Sequence, residues 1–171
     1  VVVHNGADAS GHFSLRDANG TSIAVEWVDQ KPVVYIDRND NGVTGFGILT
    51  NDPPFPWQVE NVRHYRWKES QARSASTIAG DWYPDDRFLR IYATKAAMSE
   101  PSSYQEAVSQ AVQVLNTVTV PVGNQIGTDS PTSQFSDHTN FGIVYDHLQK
   151  IVYWRTEANP SLQRLRLGDI L

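Results

Sequence analysis

The sequence predicts an α+β fold in which antiparallel strands and helices occupy separate stretches of the chain. Three observations carry this. Short runs near the amino terminus alternate apolar and polar residues, the middle repeats apolar residues at helical spacing, and the closing stretch returns to short strand-like runs.

The elements follow in order. HFSLRD (12–17) alternates, Ala18-Asn19-Gly20 makes a turn, and TSIAVEWV (21–28) alternates again. Asn-Gly between two such runs is a hairpin signal, because both residues tolerate positive φ. DQKP (29–32) turns the chain into VVYID (33–37), and RNDNGVTG (38–45) leads to FGILTN (46–51). That gives four strands in an antiparallel meander.

Three prolines then fall within 52–56, after which Trp57, Val59, Val62, Tyr65 and Trp67 recur near the helical period. Asp85 or Asp86 is placed to cap a helix through RFLRIYATKAAM (87–98). Ser103 and Glu106 form a capping box after Pro101, opening a stripe of Tyr104, Val108, Ala111, Val112 and Leu115. The tail gives NFGIVYDH (140–147), a turn at Leu148-Gln149, IVYWRT (151–156) and a short run LQRLRL (162–167). GNQIGTDSPTSQFSDHT (123–139) is a long polar loop of the kind that borders sites.

Length and composition set the outer bounds. The 171 residues fit a single domain, 1–171, large enough for a real core. Apolar residues make up 40% and charged residues 19%, ordinary for a globular chain. No run of about 18 apolar residues exists, so no transmembrane helix and no membrane insertion are expected. A net charge of −5, with scattered basic residues, argues against a nucleic-acid surface. The chain has no cysteine, which excludes disulfides, thiolate metal sites and a thiol nucleophile within these residues. The opening VVVHNGADASG has neither an initiator methionine nor the features of a signal peptide, so a processed product or fragment is expected. A periplasmic or extracellular setting is favoured over a cytoplasmic one.

Several candidate sites reduce to plain structure. Asp37-Arg38-Asn39-Asp40-Asn41-Gly42 opens like a calcium loop, but Ile48 stands where a bidentate glutamate is needed. A polar hairpin loop is the better reading. Asn19-Gly20-Thr21 is a formal glycosylation sequon that coincides with a tight turn. His4, His12, His64, His138 and His147 show no ligand spacing, and no metal or cofactor is expected. Ser136, Asp137 and His138 are triad residue types, but adjacency in sequence is not triad geometry.

Asn51 and Arg87 remain. A side-chain amide at the carboxyl end of a buried strand is a positioned neutral donor able to stabilise an oxyanion, a role worth about 3–4 kcal/mol. Pro53 and Pro54 fix the chain's exit and hold that amide. Arg87, at the start of an apolar helix, opposes the helix dipole and calls for a compensating carboxylate or thiolate. These residue types alone leave a turn-capping asparagine and a surface arginine equally open.

In their settings the two positions resemble the choloylglycine hydrolase family of N-terminal-nucleophile amide hydrolases. GILTNDPPFPWQVENVRHY is similar to the family's G-V-L-T-N-x-P-x-F-x-x-Q-x-x-N-L-x-x-Y segment, the most specific match. HFSLRDANGTSIAVEWV resembles its early hairpin, and VTVPVG its V-x-x-P-x-G. TNFGIVYDHLQKIVYWRT resembles its closing hairpin, with Val152 at the first of two paired tyrosines. YPDDRFLRIYATKAA resembles its S-R-F-x-R helix start, with Asp86 replacing the serine.

The resemblance implies that Asn51 contributes to an oxyanion hole and that Arg87 stands beside the nucleophile. It also implies an αββα sandwich, which these residues would form only in part. The family's nucleophile is an N-terminal cysteine, and none is present here. A nucleophile-bearing segment or second chain from the same precursor is therefore the expected partner, with a small acyl amide as substrate and a homo-oligomer of the completed enzyme possible. Tyr83, before the Arg87 helix, is a candidate for lining the acyl pocket. Trp57 is another, although a core position fits it better. Two rivals are a catalytically inactive binding or assembly module on the same scaffold, and a stand-alone hydrolase using Ser136 or His138.

Overall fold

The computed structural model describes residues 12–17, 19, 21–37, 47–51, 53–71, 80–123 and 138–170. They fall into two compact units, Val1–Ala93 and Thr94–Leu171.

In the first unit, β1 (His12–Arg16), β2 (Ser22–Val28) and β3 (Lys31–Asp37) form an antiparallel sheet in the order β1-β2-β3. The hairpin expected from Asn19 pairs Arg16 with Ser22. Asp17 organises its turn, the Oδ1 accepting from the backbone N–H of Asn19 (2.9 Å) and Thr21 (2.8 Å). The second turn is tighter than DQKP suggests. Asp29 and Gln30 both take positive φ (50° and 62°), and β3 begins at Lys31. Pro32 therefore lies inside a strand, which is tolerated because β3 is an edge among the described residues.

The two faces of this sheet differ. Ser22, Ala24 and Glu26 are buried and share a face with Tyr35 and Asp37. The opposite face carries Phe13, Leu15, Ile23, Val25, Trp27, Val34 and Ile36, of which Leu15, Val34 and Ile36 are exposed. α1 (Phe55–Gln71) and the part of α2 (Pro84–Ala97) up to Ala93 complete the unit. Its core gathers Ala24, Ile48, Phe55, Val59, Val62, Tyr65, Phe88 and Leu89.

Three expectations need correction here. Residues 47–50 are not a fourth strand, and Phe46 lies outside the described residues. A strand requires a ladder partner, and among the described residues none pairs with this segment. The stretch is held instead by its ends, for Gly47 takes φ 59° and its N–H donates to the Asp37 Oδ2 at 2.6 Å. The helix expected from Trp57 begins at Phe55, and its inward face runs through Phe55 rather than Trp57. Phe55, Gln58, Val59, Val62 and Tyr65 turn inward, while Trp57 is 70% exposed and Trp67 is exposed as well. Trp57 is thus not a core residue. The helix through Arg87 starts at Pro84, the favoured first helical position, so neither Asp85 nor Asp86 is its cap.

The second unit holds α2's last turn, α3 (Tyr104–Thr117), and an antiparallel sheet of β4 (Phe141–Asp146), β5 (Ile151–Thr156) and β6 (Gln163–Arg166). α3 is tied to β5 by a hydrogen bond between the hydroxyls of Tyr104 and Tyr153. Ser103 caps α3 as expected, accepting from the Glu106 N–H at 3.2 Å. The Glu106 carboxylate reaches one residue further back than the box requires, accepting from the Ser102 hydroxyl (2.6 Å) and backbone N–H (2.7 Å). Those two bonds, the hydroxyl's first, hold its carboxyl below the ordinary value. Because the folded group binds its proton more weakly, its contribution is complete above the ordinary glutamate pKa and drains away as pH falls through the lower folded value. Glu106→Gln should therefore lower the melting temperature near neutrality and narrow its gap to the parent on acidification. Thermal melts across pH 2.5 to 7 (on the order of one per half unit) check this.

No helix among the described residues is long and apolar enough to cross a membrane.

Candidate active site

The site is built where the 47–51 segment meets the start of α2. Ile48 and Thr50 are buried, so Asn51 is the first side chain of the segment to emerge. The chain then enters α1 through Pro53 and Pro54. The helix has no acidic residue in its first turn, and its leading N–H groups are satisfied from elsewhere. The buried Glu26 of β2 reaches across so that both carboxylate oxygens accept from Phe55 N–H, at 2.9 and 3.0 Å. Pro56 has no N–H to satisfy, and the Pro54 carbonyl accepts from Trp57 (2.8 Å) and Gln58 (3.3 Å). An anion at a helix N-terminus is electrostatically favoured, which accounts for a glutamate on an inward-facing strand position.

At the other side of the site, the Asp86 carboxylate accepts from Asp81 N–H at 2.8 Å. Arg90 donates to the Asp81 carbonyl at 2.9 Å and stacks over the Trp82 ring, 5.3 Å from its centre. These contacts staple residues 81–83 onto the first turn of α2. Asp85 and Asp86 also place two negative charges in that turn, the compensation that a cation at position 87 requires.

The structure brings Asn51 and Arg87 together. Arg87 Nη2 donates to Asn51 Oδ1 across 36 positions of sequence. The contact engages the amide oxygen, leaving the Asn51 Nδ2 with no hydrogen bond among the described residues and its side chain exposed. A guanidinium on the oxygen polarises the amide and strengthens Nδ2–H as a donor. The arrangement is therefore an amide donor backed by a fixed positive charge, suited to an anion forming in front of it. Tyr83 is 45% exposed, and its carbonyl accepts from Arg87 N–H at 3.0 Å, so it adjoins the pair at the helix start.

The other candidates do not join this cluster. His138 pairs with Glu157 at 2.8 Å in the second unit, while Ser136 and Asp137 lie outside the described residues. Residues 38–46 of the calcium-like loop and Gly20 of the sequon also lie outside them. No group of acidic or histidine side chains among the described residues could hold a metal ion.

Two antiparallel sheets with segregated helices make this an α+β chain. The family model for linear amide C–N hydrolases of the choloylglycine hydrolase family matches residues 2–170, and the chain belongs to that family. It is 25% identical over 174 residues to a bile salt hydrolase/transferase of Clostridium perfringens, covering 92% of this chain and 50% of that protein. It is also 23% identical over 164 residues to protein A284L of Paramecium bursaria Chlorella virus 1, covering 90% and 57%. Among solved structures it is similar to penicillin V acylase from Agrobacterium tumefaciens, with a TM-score of 0.71 and 24% identity, covering 92% of this chain and 45% of that one. A variant of the conjugated bile acid hydrolase from C. perfringens gives 0.70 and 23%, covering 92% and 50%. The chain spans about half the length of the curated relatives it matches.

Proposed function

We propose that this chain supplies the oxyanion-stabilising and charge-positioning part of an amidohydrolase that cleaves linear acyl amides with an N-terminal cysteine carried on another segment. The observation that carries the reading is the Arg87–Asn51 hydrogen bond, which joins a neutral donor and a fixed cation at one point. The absence of cysteine from the 171 residues and the half-length match to the relatives both support a nucleophile from outside them. So does the apolar face of the first sheet, where exposed Leu15, Val34 and Ile36 are suited to burial by a further segment.

In this mechanism the cysteine thiolate attacks the amide carbonyl carbon, and its own α-amino group takes the thiol proton and passes it to the leaving amine. The carbonyl oxygen becomes an oxyanion that accepts from Asn51 Nδ2–H. Collapse breaks the C–N bond and leaves a thioester, which water hydrolyses. Arg87 acts twice, fixing Asn51 and favouring the thiolate over the thiol. The substrates to try first are penicillin V and a conjugated bile salt, the types named for the relatives.

The test is reconstitution. The chain with its nucleophile segment should hydrolyse at least one of these amides, and iodoacetamide should abolish the activity. Arg87→Ala should then move the acid limb of the kcat/KM profile to higher pH, because removing the cation raises the thiol pKa. A folded, stoichiometric assembly that cleaves no linear amide would leave an inactive binding module on the same scaffold.

A further inference from the structure

Asn51 and Arg87 come from different elements, and something must hold them in register. We propose that Gln58 and Asn61, three residues apart on one face of α1, are positioning residues that set the Asn51–Arg87 geometry. The proposal rests on the functional reading above.

Gln58 is fully buried. Its Nε2 donates to Thr50 Oγ1 at 3.0 Å and to the Pro53 carbonyl at 3.4 Å, clamping the chain on both sides of Asn51. Asn61 Nδ2 donates to the Asp85 carbonyl at 3.4 Å, two residues before Arg87. One helix face therefore grips the asparagine segment with one amide and the arginine turn with the other. α1 is itself fixed at its start by Glu26, so the template is anchored to the sheet.

The choice of residue type points the same way. Stability alone is served as well by an apolar side chain of similar volume at position 58, with a matching apolar partner at 50. A buried amide carries a desolvation cost, and the acceptors that offset it flank Asn51. Such a constraint matters for catalysis because a misplacement of about 1 Å can cost about a hundredfold in rate.

The test combines kinetics of the completed enzyme with NMR order parameters of the Asn51 side-chain amide, assigned by its loss in Asn51→Ala. Gln58→Met keeps length and removes the donor, Thr50→Val removes the acceptor at constant shape, Thr50→Ser restores the hydroxyl, and Asn61→Leu tests the other grip. The expected result is a fall in kcat of roughly tenfold to a hundredfold for Gln58→Met, Thr50→Val and Asn61→Leu, with KM within about twofold. Thr50→Ser should recover most of kcat, and the Asn51 amide should lose order in Gln58→Met and Thr50→Val.

Folded variants with parental kcat and an equally ordered Asn51 amide would overturn the positioning role while leaving an active parent enzyme as an acylase. An inactive parent in which the same variants still loosen Asn51 would support the positioning role and sink the acylase reading. If Gln58→Met fails to fold, the shape-conserving Thr50→Val and Thr50→Ser pair decides.

Discussion

On the proposed mechanism, Asn51→Ala should lower kcat of the completed enzyme by about a hundredfold to a thousandfold, the usual cost of removing one preorganised oxyanion donor. KM should change much less, because the amide meets charge that develops only in the transition state. Asn51→Asp sharpens the test. Its carboxylate keeps an oxygen for Arg87 Nη2, so the local geometry survives, but it presents a negative acceptor where the reaction forms negative charge. The aspartate variant should therefore be as inactive as the alanine variant while unfolding near the parent temperature. If Asn51 merely caps a turn, aspartate is a fair substitute and activity persists. Steady-state kinetics and thermal melts on the two variants separate these readings.

Phe88→Ala should destabilise the chain by about 3–5 kcal/mol, the range for emptying a fully buried aromatic position. Phe88 has no exposed surface and belongs to the cluster that joins β2, α1 and α2. Against a total stability of about 5–15 kcal/mol, that loss takes much of the margin. It also frees the helix turn carrying Arg87, so activity should fall at temperatures where the parent is still active. Urea unfolding monitored by circular dichroism checks the prediction, and a shift worth less than about 1 kcal/mol would show that the site can repack.

Much of this architecture is legible in the residues, for identifiable reasons. The first sheet announces itself because alternation has a period of two and Asn19-Gly20 marks a turn, and the second because its strands are short β-rich runs on either side of a turn. α3 is equally plain, since Ser103 and Glu106 mark its start. Asn51 and Arg87 draw notice because each breaks a local expectation, one as an amide at the end of an apolar run and the other as a cation at a helix start.

The phase of α1 is harder to read. Its beginning lies among prolines, and the donors they lack hide how the first turn is satisfied. Phe55 and Gln58 consequently displace Trp57 from the inward face. The supports of the site are harder still, because their partners are remote. Glu26 meets Phe55 across 29 positions and Asn61 meets Asp85 across 24. One signal was available for Glu26, an acidic residue on the same strand face as Ser22 and Ala24. Gln58 gives none, since a polar residue on a helix normally faces water and only packing shows it buried. The 46–51 run reads as a strand because its side chains are apolar, but apolar character points to burial and not to pairing.

Trapping the acyl intermediate tests the proposed division of labour between this chain and its nucleophile segment. A catalytically competent preparation is quenched with acid during turnover of a slow acyl amide, and every polypeptide is mapped by mass spectrometry for the acyl group. The expected species is a thioester on an N-terminal cysteine outside these 171 residues, with accumulation reduced in Asn51→Ala and no acyl group on the chain itself. An acyl ester on a serine or threonine of this chain, formed at the rate of turnover, would contradict it.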